Sequence, residues 1–471
     1  MGDYALAIDI GASGGRHILG RIVHGCVELT EVYHFPNEIV TCNGLQCWDM
    51  EALFAHVVAG MRACADRGMT PATVSIDTWG VDYTLIDTAG KPLGPSVAYR
   101  DARTGAMPAL LDAAIPPEAL YARTGIARQP YNTVYQLMAE AKAAPAWPYA
   151  NARLLFTPCY LQYRLTGIAR NEFSIASTSG LLNARTGLWD EGVLAAAGIP
   201  PALLGDAPAR SATLLGPLLP AVERLVGYPC TVVLPASHDT ASAFLAAPLS
   251  GEGAAVLSSG TWSLLGQELD APILTEAARL AGFTNESGYG GHTTFVRNII
   301  GLWLLQAIRR EWGKRLSYAE MAVLALEGKD YPHTFDASSG RFLSPAGMTA
   351  EIASALLEMG APPPQSDAQL LYCVHQSLAL CYGSAIKQLS ALTQQPITKI
   401  NVVGGGSQNT TLNQFTANAT GLPVYAGPVE ATALGNVTAQ WIATNELQSL
   451  TEVHALIQNS IKLEVYQPQS H

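Results

Sequence analysis

At 471 residues the chain is too long for one hydrophobic core and calls for two or three domains. Half of it is apolar and 14% is charged, which excludes a disordered chain. A net charge of −11 with no basic face argues against nucleic acid as the main partner, while leaving local nucleotide binding open.

In chain order, Tyr4-Ala5-Leu6-Ala7-Ile8 reads as a buried strand entered directly from the N-terminus. That start, without a basic n-region or cleavage site, reads as cytoplasmic rather than secreted. Asp9-Ile10-Gly11-Ala12-Ser13-Gly14-Gly15-Arg16 then turns into a second strand. A carboxylate followed by small residues is the pattern of a loop whose backbone N–H groups approach polyphosphate, and of an ordinary glycine-rich hairpin. Neither the Gly-Lys-Ser/Thr ending of a P-loop nor a following helix is present.

Val74 to Asp82 reads as a buried strand entering a loop. Tyr83 to Lys91 suits a hairpin, with Thr88-Ala89-Gly90-Lys91 as its turn. From 106 to 165 an Ala-rich, proline-interrupted stretch predicts helices, clearest over Thr133 to Ala144 and Pro158 to Leu165.

Thr231 to Pro235 predicts a strand leading into a helix that begins within Ala236 to Ala243. Asp239, at that start, reads first as a helix N-cap, a role that does not exclude a catalytic carboxylate. Ala254 to Gly266 is a second strand–turn–strand unit and echoes the N-terminal one. Two such hairpins, each opening a domain-sized segment, imply two related α/β domains. Ile400 to Val403 runs into Gly404-Gly405-Gly406 and then a helix from about Thr411, a further anion- or purine-approachable corner. Glu430 to Asn436 begins an Ala-rich helix. No apolar run of about 18 residues predicts a membrane span. The eight cysteines form no C-x-x-C pair, so buried thiols are expected, with any pairing of Cys64 and Cys230 left open.

Seven motifs in this order resemble the FGGY carbohydrate kinases over essentially the whole chain. They are Asp9–Arg16, Ile76–Asp82, Ala98–Thr104, Ala236–Ala243, Leu257–Ser263, Asn298–Gln306 and Gly404–Asn409. The resemblance implies two actin/hexokinase-type (ribonuclease H-like) domains flanking a catalytic cleft. They would span 1–244, with a helical insertion at about 106–230, and 245–471. It implies ATP- and Mg²⁺-dependent phosphorylation of a ketose. The nearest likeness is to members acting on the C1 hydroxyl of L-rhamnulose. L-Fuculose or another ketose is the alternative substrate, and a sensor that kept the fold without turnover is the alternative function.

Carried over residue by residue, the resemblance makes Asp239 the base and Gly80, His238, Asp239, Thr240 and Asn298 the sugar contacts. Ala12, Ser13, Gly14, Gly15, Arg16, Thr261, Gln306 and Gly404 face the nucleotide, and Asp9 positions Mg²⁺, through water. By residue type, Asn298 also reads as a helix cap before Gly301, and Gly80 as a turn glycine. Trp79 and Tyr99 offer an apolar wall for a deoxysugar methyl group, or core. The turn departs from the expected Ala-Ser-Ser-Gly-Arg, having glycine at position 14, and the chain is shorter than the pattern through 310 to 370. Partners are expected to be a sugar and a nucleotide, with neither nucleic acid nor membrane. Monomer and homodimer both stay open.

Overall fold

Leu6, Ile8 and Ile10 alternate along the first strand and are fully buried, because that strand sits inside its sheet rather than at an edge. The computed structural model describes residues 4–143, 151–249, 253–343 and 345–469. Two compact units divide the chain. One is Met1–Ala246 with Glu268–Phe295 and Thr432–Ser460, and the other is Ala247–Gln267 with Val296–Ala431 and Ile461–His471.

The first unit carries β1 (Tyr4–Gly11), β2 (Gly14–Val23), β3 (Cys26–Pro36), β4 (Pro71–Thr78), β5 (Thr213–Pro217) and β6 (Thr231–Leu234), in the sheet order β5-β6-β4-β1-β2-β3. β1 is antiparallel to β2 and parallel to β4, and β6 is parallel to β4. The parallel strands therefore end at one edge. Their register sets Asp9 beside Asp77, and a bridge from Thr78 to His238 continues the ladder to the residue before Asp239. α1 (Met50–Asp66) buries Leu53, Val57 and Met61 in the same core, capped by Asp49, which accepts from Ala52 N.

In the second unit, β7 (Ala254–Ser259) runs antiparallel to β8 (Trp262–Leu269) and parallel to β10 (Lys399–Val403). With β9 (Thr293–Ile300), β11 (Val424–Ala426) and β12 (Glu464–Tyr466) they make six neighbouring strands of a seven-stranded sheet, in the order β9-β8-β7-β10-β11-β12. The hairpin-plus-parallel-neighbour pattern of β1, β2 and β4 thus recurs in β7, β8 and β10. A long helix, Asp367–Thr393, donates or accepts at Tyr382 Oη to Ser263 Oγ at 2.7 Å, tying it to the second hairpin.

Some local expectations change. The predicted 83–91 hairpin shrinks to one bridge, Ile86 to Pro92, because Tyr83–Ile86 finds a longer partner in Arg153–Phe156. That strand lies within the stretch expected to be helical. The helix at 133 is present as Thr133–Ala143, and Ala144 lies outside the described residues. The next one spans Thr157–Thr166. All eight cysteines are free thiols. Burial first, and Cys64 second, push the Cys230 thiol up, so it stays protonated.

Candidate active site

The Asp9–Arg16 hairpin closes through a two-residue turn at Ala12 and Ser13, with Gly11 opposite Gly14. The glycines are needed for space rather than for left-handed backbone. An added Cβ on Gly15 would lie 2.3 Å from the Phe35 ring, and on Gly14 2.9 Å from the Phe35 carbonyl oxygen. Gly14 and Gly15 are laddered to β3, so Ala12 and Ser13 are the loop residues outside the strands. Arg16, opposite Asp9 across β1 and β2, donates from Nη2 to Asp9 Oδ2 at 3.2 Å. Its charge is thus spent in part on Asp9.

Asp77 is fully buried. Its Oδ2 accepts from Asn436 Nδ2 at 2.7 Å, while its Oδ1 has no hydrogen-bond partner. Burial first, then Asp9 and Asp239, push its carboxyl well above the usual range.

Asp239 opens the helix Asp239–Leu245, but the capping position belongs to His238, whose side chain makes no cap bond. The capping role open for Asp239 in the sequence is therefore not the one it has. Its Oδ1 accepts from Thr240 Oγ1 at 3.1 Å and lies 3.4 Å from His238 Nε2. Its carboxyl is pushed above the usual range. Burial is the largest cause, and His238 and Thr240 offset only part of it. A third of the side chain is exposed, so solvent screens some of that rise.

Sequence reasoning missed the carboxylates behind this pair. Glu286 Oε2 approaches His238 Nδ1 at 3.2 Å. Glu172, completely buried, accepts five hydrogen bonds: from Ser174 N, Ser174 Oγ, Ile175 N, Ser211 Oγ and Ser237 N, at 2.7–3.1 Å. His238 N in turn donates to Ser174 Oγ at 3.1 Å. One carboxylate therefore fixes the backbone on which His238 and Asp239 stand. Burial lowers the His238 pKa, but Glu286, Asp239 and Glu172 outweigh it, and the net direction is up.

The Ile76–Asp82 motif ends in a strained loop. Val81 has φ +70°, unusual for a β-branched residue. Its N–H donates to Thr178 Oγ1, and its carbonyl accepts from Thr133 Oγ1 at 2.7 Å. Asp82, buried, accepts from Trp48 Nε1, Trp79 Nε1 and Gln136 Nε2 at 2.6, 2.9 and 3.0 Å. Trp79 is accordingly core, its ring 4.3 Å from that of Trp48, and Tyr99 is half-buried against Tyr131. Gly80 faces Thr178, 3.1 Å from where a Cβ would sit, and has no left-handed backbone.

The second unit holds Thr261, Asn298, Gln306 and Gly404. Thr261, in the β7–β8 turn, donates from Oγ1 to Gln306 Oε1 at 3.1 Å, so two residues selected separately in the sequence meet. Gly404 has φ +82°, and a Cβ there would lie 3.1 Å from the Ser259 carbonyl; at Gly406 it would fall 1.9 Å from Ser259 Oγ. The corner is thus pressed onto the end of β7, and the helix Thr410–Thr420 leaves it capped by Asn409. Asn298 lies inside β9 rather than at a helix start, and its Oδ1 is a buried acceptor without a partner.

Among the described residues no helix is long and apolar enough to cross a membrane. Residues 4–246 match the N-terminal domain, and 255–444 the C-terminal domain, of the FGGY family of carbohydrate kinases. The chain is 39% identical to a rhamnulokinase of Halalkalibacterium halodurans, covering 98% of each chain. It is 40% identical to one of Enterococcus faecalis, covering 98% of this chain and 94% of the relative. Among solved structures it resembles a ligand-bound xylulose kinase from Lactobacillus acidophilus, with a TM-score of 0.81 at 16% identity over 99% of this chain and 94% of the other. A glycerol kinase of Plasmodium falciparum with ADP gives a TM-score of 0.79 at 15% identity, with the same coverage.

Proposed function

We propose, on the premise that this chain belongs to the FGGY family of carbohydrate kinases and is a carbohydrate kinase itself, that it phosphorylates the C1 hydroxyl of L-rhamnulose. The observation that carries the chemistry is Asp239, partly exposed at a strand-to-helix junction and braced by His238. Kinases of this family use ATP and typically a divalent metal.

Phosphoryl transfer needs positioning, charge neutralisation and an acceptor for one proton. Asp239 takes the proton from the C1 hydroxyl as that oxygen bonds to the γ-phosphorus. The bond from the γ-phosphorus to the β,γ-bridging oxygen breaks, and ADP leaves. His238, Thr240, Gly80 and Asn298 contact the sugar. Ala12, Ser13, Gly14, Gly15 and Arg16 with Thr261 take the phosphates, the turn residues Ala12 and Ser13 through backbone N–H groups. Gln306 and Gly404 take the adenosine side.

The donor set suits Mg²⁺. Asp77 Oδ1 is an unpartnered buried oxygen next to Asp9, and among the described residues no group of three side chains could hold a metal alone. An ion that keeps most of its waters and leans on one or two carboxylates and on phosphate fits such a place. Asp9 would hold it, and it would neutralise charge on the phosphates.

The sugar is tested by ranking ketoses through coupled ADP release. L-Rhamnulose is expected to have the highest kcat/KM. A tenfold preference for L-fuculose or another ketose moves the assignment to that sugar. The base is tested by pH. Asp239 must be ionised to accept a proton, and its pKa is raised from 3.8, so kcat/KM falls as pH drops through that raised value. An acid limb that stays at or below the ordinary aspartate range takes Asp239 out of this role.

A further inference from the structure

His238 stands with each ring nitrogen near a carboxylate: Nδ1 is 3.2 Å from Glu286 Oε2, and Nε2 is 3.4 Å from Asp239 Oδ1. A neutral imidazole has one N–H and one lone pair, so one of these approaches would set a lone pair against a carboxylate oxygen. Neither approach is aligned as a hydrogen bond, and Nδ1 and Glu286 Oε2 are both buried without another partner, so the pairing is electrostatic: an imidazolium is attracted by both carboxylates where a neutral ring is not. The ring cannot turn away easily, because the His238 side chain is 8% exposed and its backbone N–H is held by Ser174 Oγ. Glu286 is as deeply placed, at 9%, so solvent does little to screen the pair.

We propose that Glu286 is a positioning residue that keeps His238 as a cation beside Asp239, with Nε2–H available to the sugar hydroxyl that Asp239 serves. The inference rests on the assignment of Asp239 as the base. Glu286 touches neither sugar nor nucleotide in this scheme and acts through His238. The charged groups acting most on His238 are Glu286, Asp239 and Glu172, all acidic; Asp239 in turn faces His238, Glu286 and Asp77. With three anions around one imidazole, removal of the one at Nδ1 frees that nitrogen to lose its proton. His238 then can present a lone pair at Nε2, which repels Asp239 and no longer donates to substrate.

The test follows His238 directly by NMR titration of the full chain labelled at histidine, its signal identified by its loss in His238→Gln. In the unaltered protein His238 is expected to stay protonated through pH 7. In Glu286→Gln its midpoint falls by a unit or more, KM for the sugar rises about tenfold, and KM for ATP stays within twofold. Glu286→Asp keeps the charge at a longer reach. It is expected to retain a protonated His238 at pH 7 and recover part of the sugar KM, and it carries the test should the glutamine variant fail to fold. An unchanged His238 midpoint in Glu286→Gln overturns the proposal. So does a parallel rise of both KM values, or a Glu286→Asp variant indistinguishable from Glu286→Gln. Near-normal turnover of Asp239→Asn alongside a Glu286-dependent His238 midpoint would instead remove the base assignment.

Discussion

Asp239→Asn is expected to lower kcat by about 10²- to 10⁴-fold, the range set by loss of a positioned general base, while sugar still binds within a few-fold of its normal affinity. The split follows from what the substitution removes. Asparagine keeps the shape of the side chain and an oxygen that can still accept from Thr240 Oγ1, now at 3.1 Å. It cannot take a proton from the substrate. The backbone around it stays in place, because Glu172 and Ser174 hold Ser237 and His238 through main-chain N–H groups rather than through the Asp239 carboxylate. Stability supplies a second readout with a definite sign. A carboxyl whose pKa is raised on folding stabilises the protein fully only below its unfolded pKa, and that contribution is lost as pH rises through the folded value. At neutral pH the ionised Asp239 is therefore a cost, and the Asn variant should melt at the same temperature or higher. Coupled ADP release, calorimetry with the sugar and a thermal melt separate the three quantities. Turnover within tenfold of the original removes Asp239 as base. A lower melting temperature would show that its loss of activity is structural.

What the sequence revealed of this site was whatever local pattern marks. Asp9 and Asp239 follow apolar β-type runs and precede small residues, so their places at strand ends were legible, as was the Gly404 corner after Ile400–Val403. The meeting of Thr261 with Gln306 needed only two motifs to share one hairpin corner. Glu172 and Glu286 were not legible. Each is a single acid in a segment without periodic signal, and only tertiary folding brings Glu172 to Ser237 and Glu286 to His238. A faint cue existed in Glu172-Phe173-Ser174, since an acid before a short helix accepts its first N–H groups, as it does here from Ser174 and Ile175. The reason for glycine at position 15 was not legible either: Phe35, twenty residues on, is what excludes a side chain there. The Tyr83–Lys91 hairpin keeps its turn, with Asp87 N donating to the Lys91 carbonyl, but little of its ladder, because a distant strand, Arg153–Phe156, offers more pairing.

Gly435→Ala sets two well-characterised effects against each other, and the structure decides which prevails. Gly435 lies inside the helix Ala431–Ala443, where alanine is favoured over glycine by about 1 kcal/mol, so propensity alone predicts a more stable protein. Yet a Cβ at this position would fall 1.8 Å from the Ser242 carbonyl oxygen and 2.6 Å from its carbon. Both are backbone atoms of the helix Asp239–Leu245, so no side chain can swing aside. The two helices must separate, and overpacking of this kind costs about 1–3 kcal/mol and sometimes more. The net expectation is a loss of up to about 2 kcal/mol, or more if the helices cannot part, and a melting temperature lower by about 1–3 degrees. The loss reaches the site as well. Asn436, the next residue, donates to Asp77 Oδ2 at 2.7 Å, and Gln440, one turn further, donates to the Leu6 carbonyl and to Asn436 Oδ1. Moving this helix withdraws the hydrogen bond from Asp77 and shifts the backbone that starts with Asp239. Activity should therefore fall even at temperatures where Gly435→Ala remains folded. An unchanged or raised melting temperature with full activity would mean that the helices yield without cost and that the close approach at Gly435 has no part in holding the carboxylates.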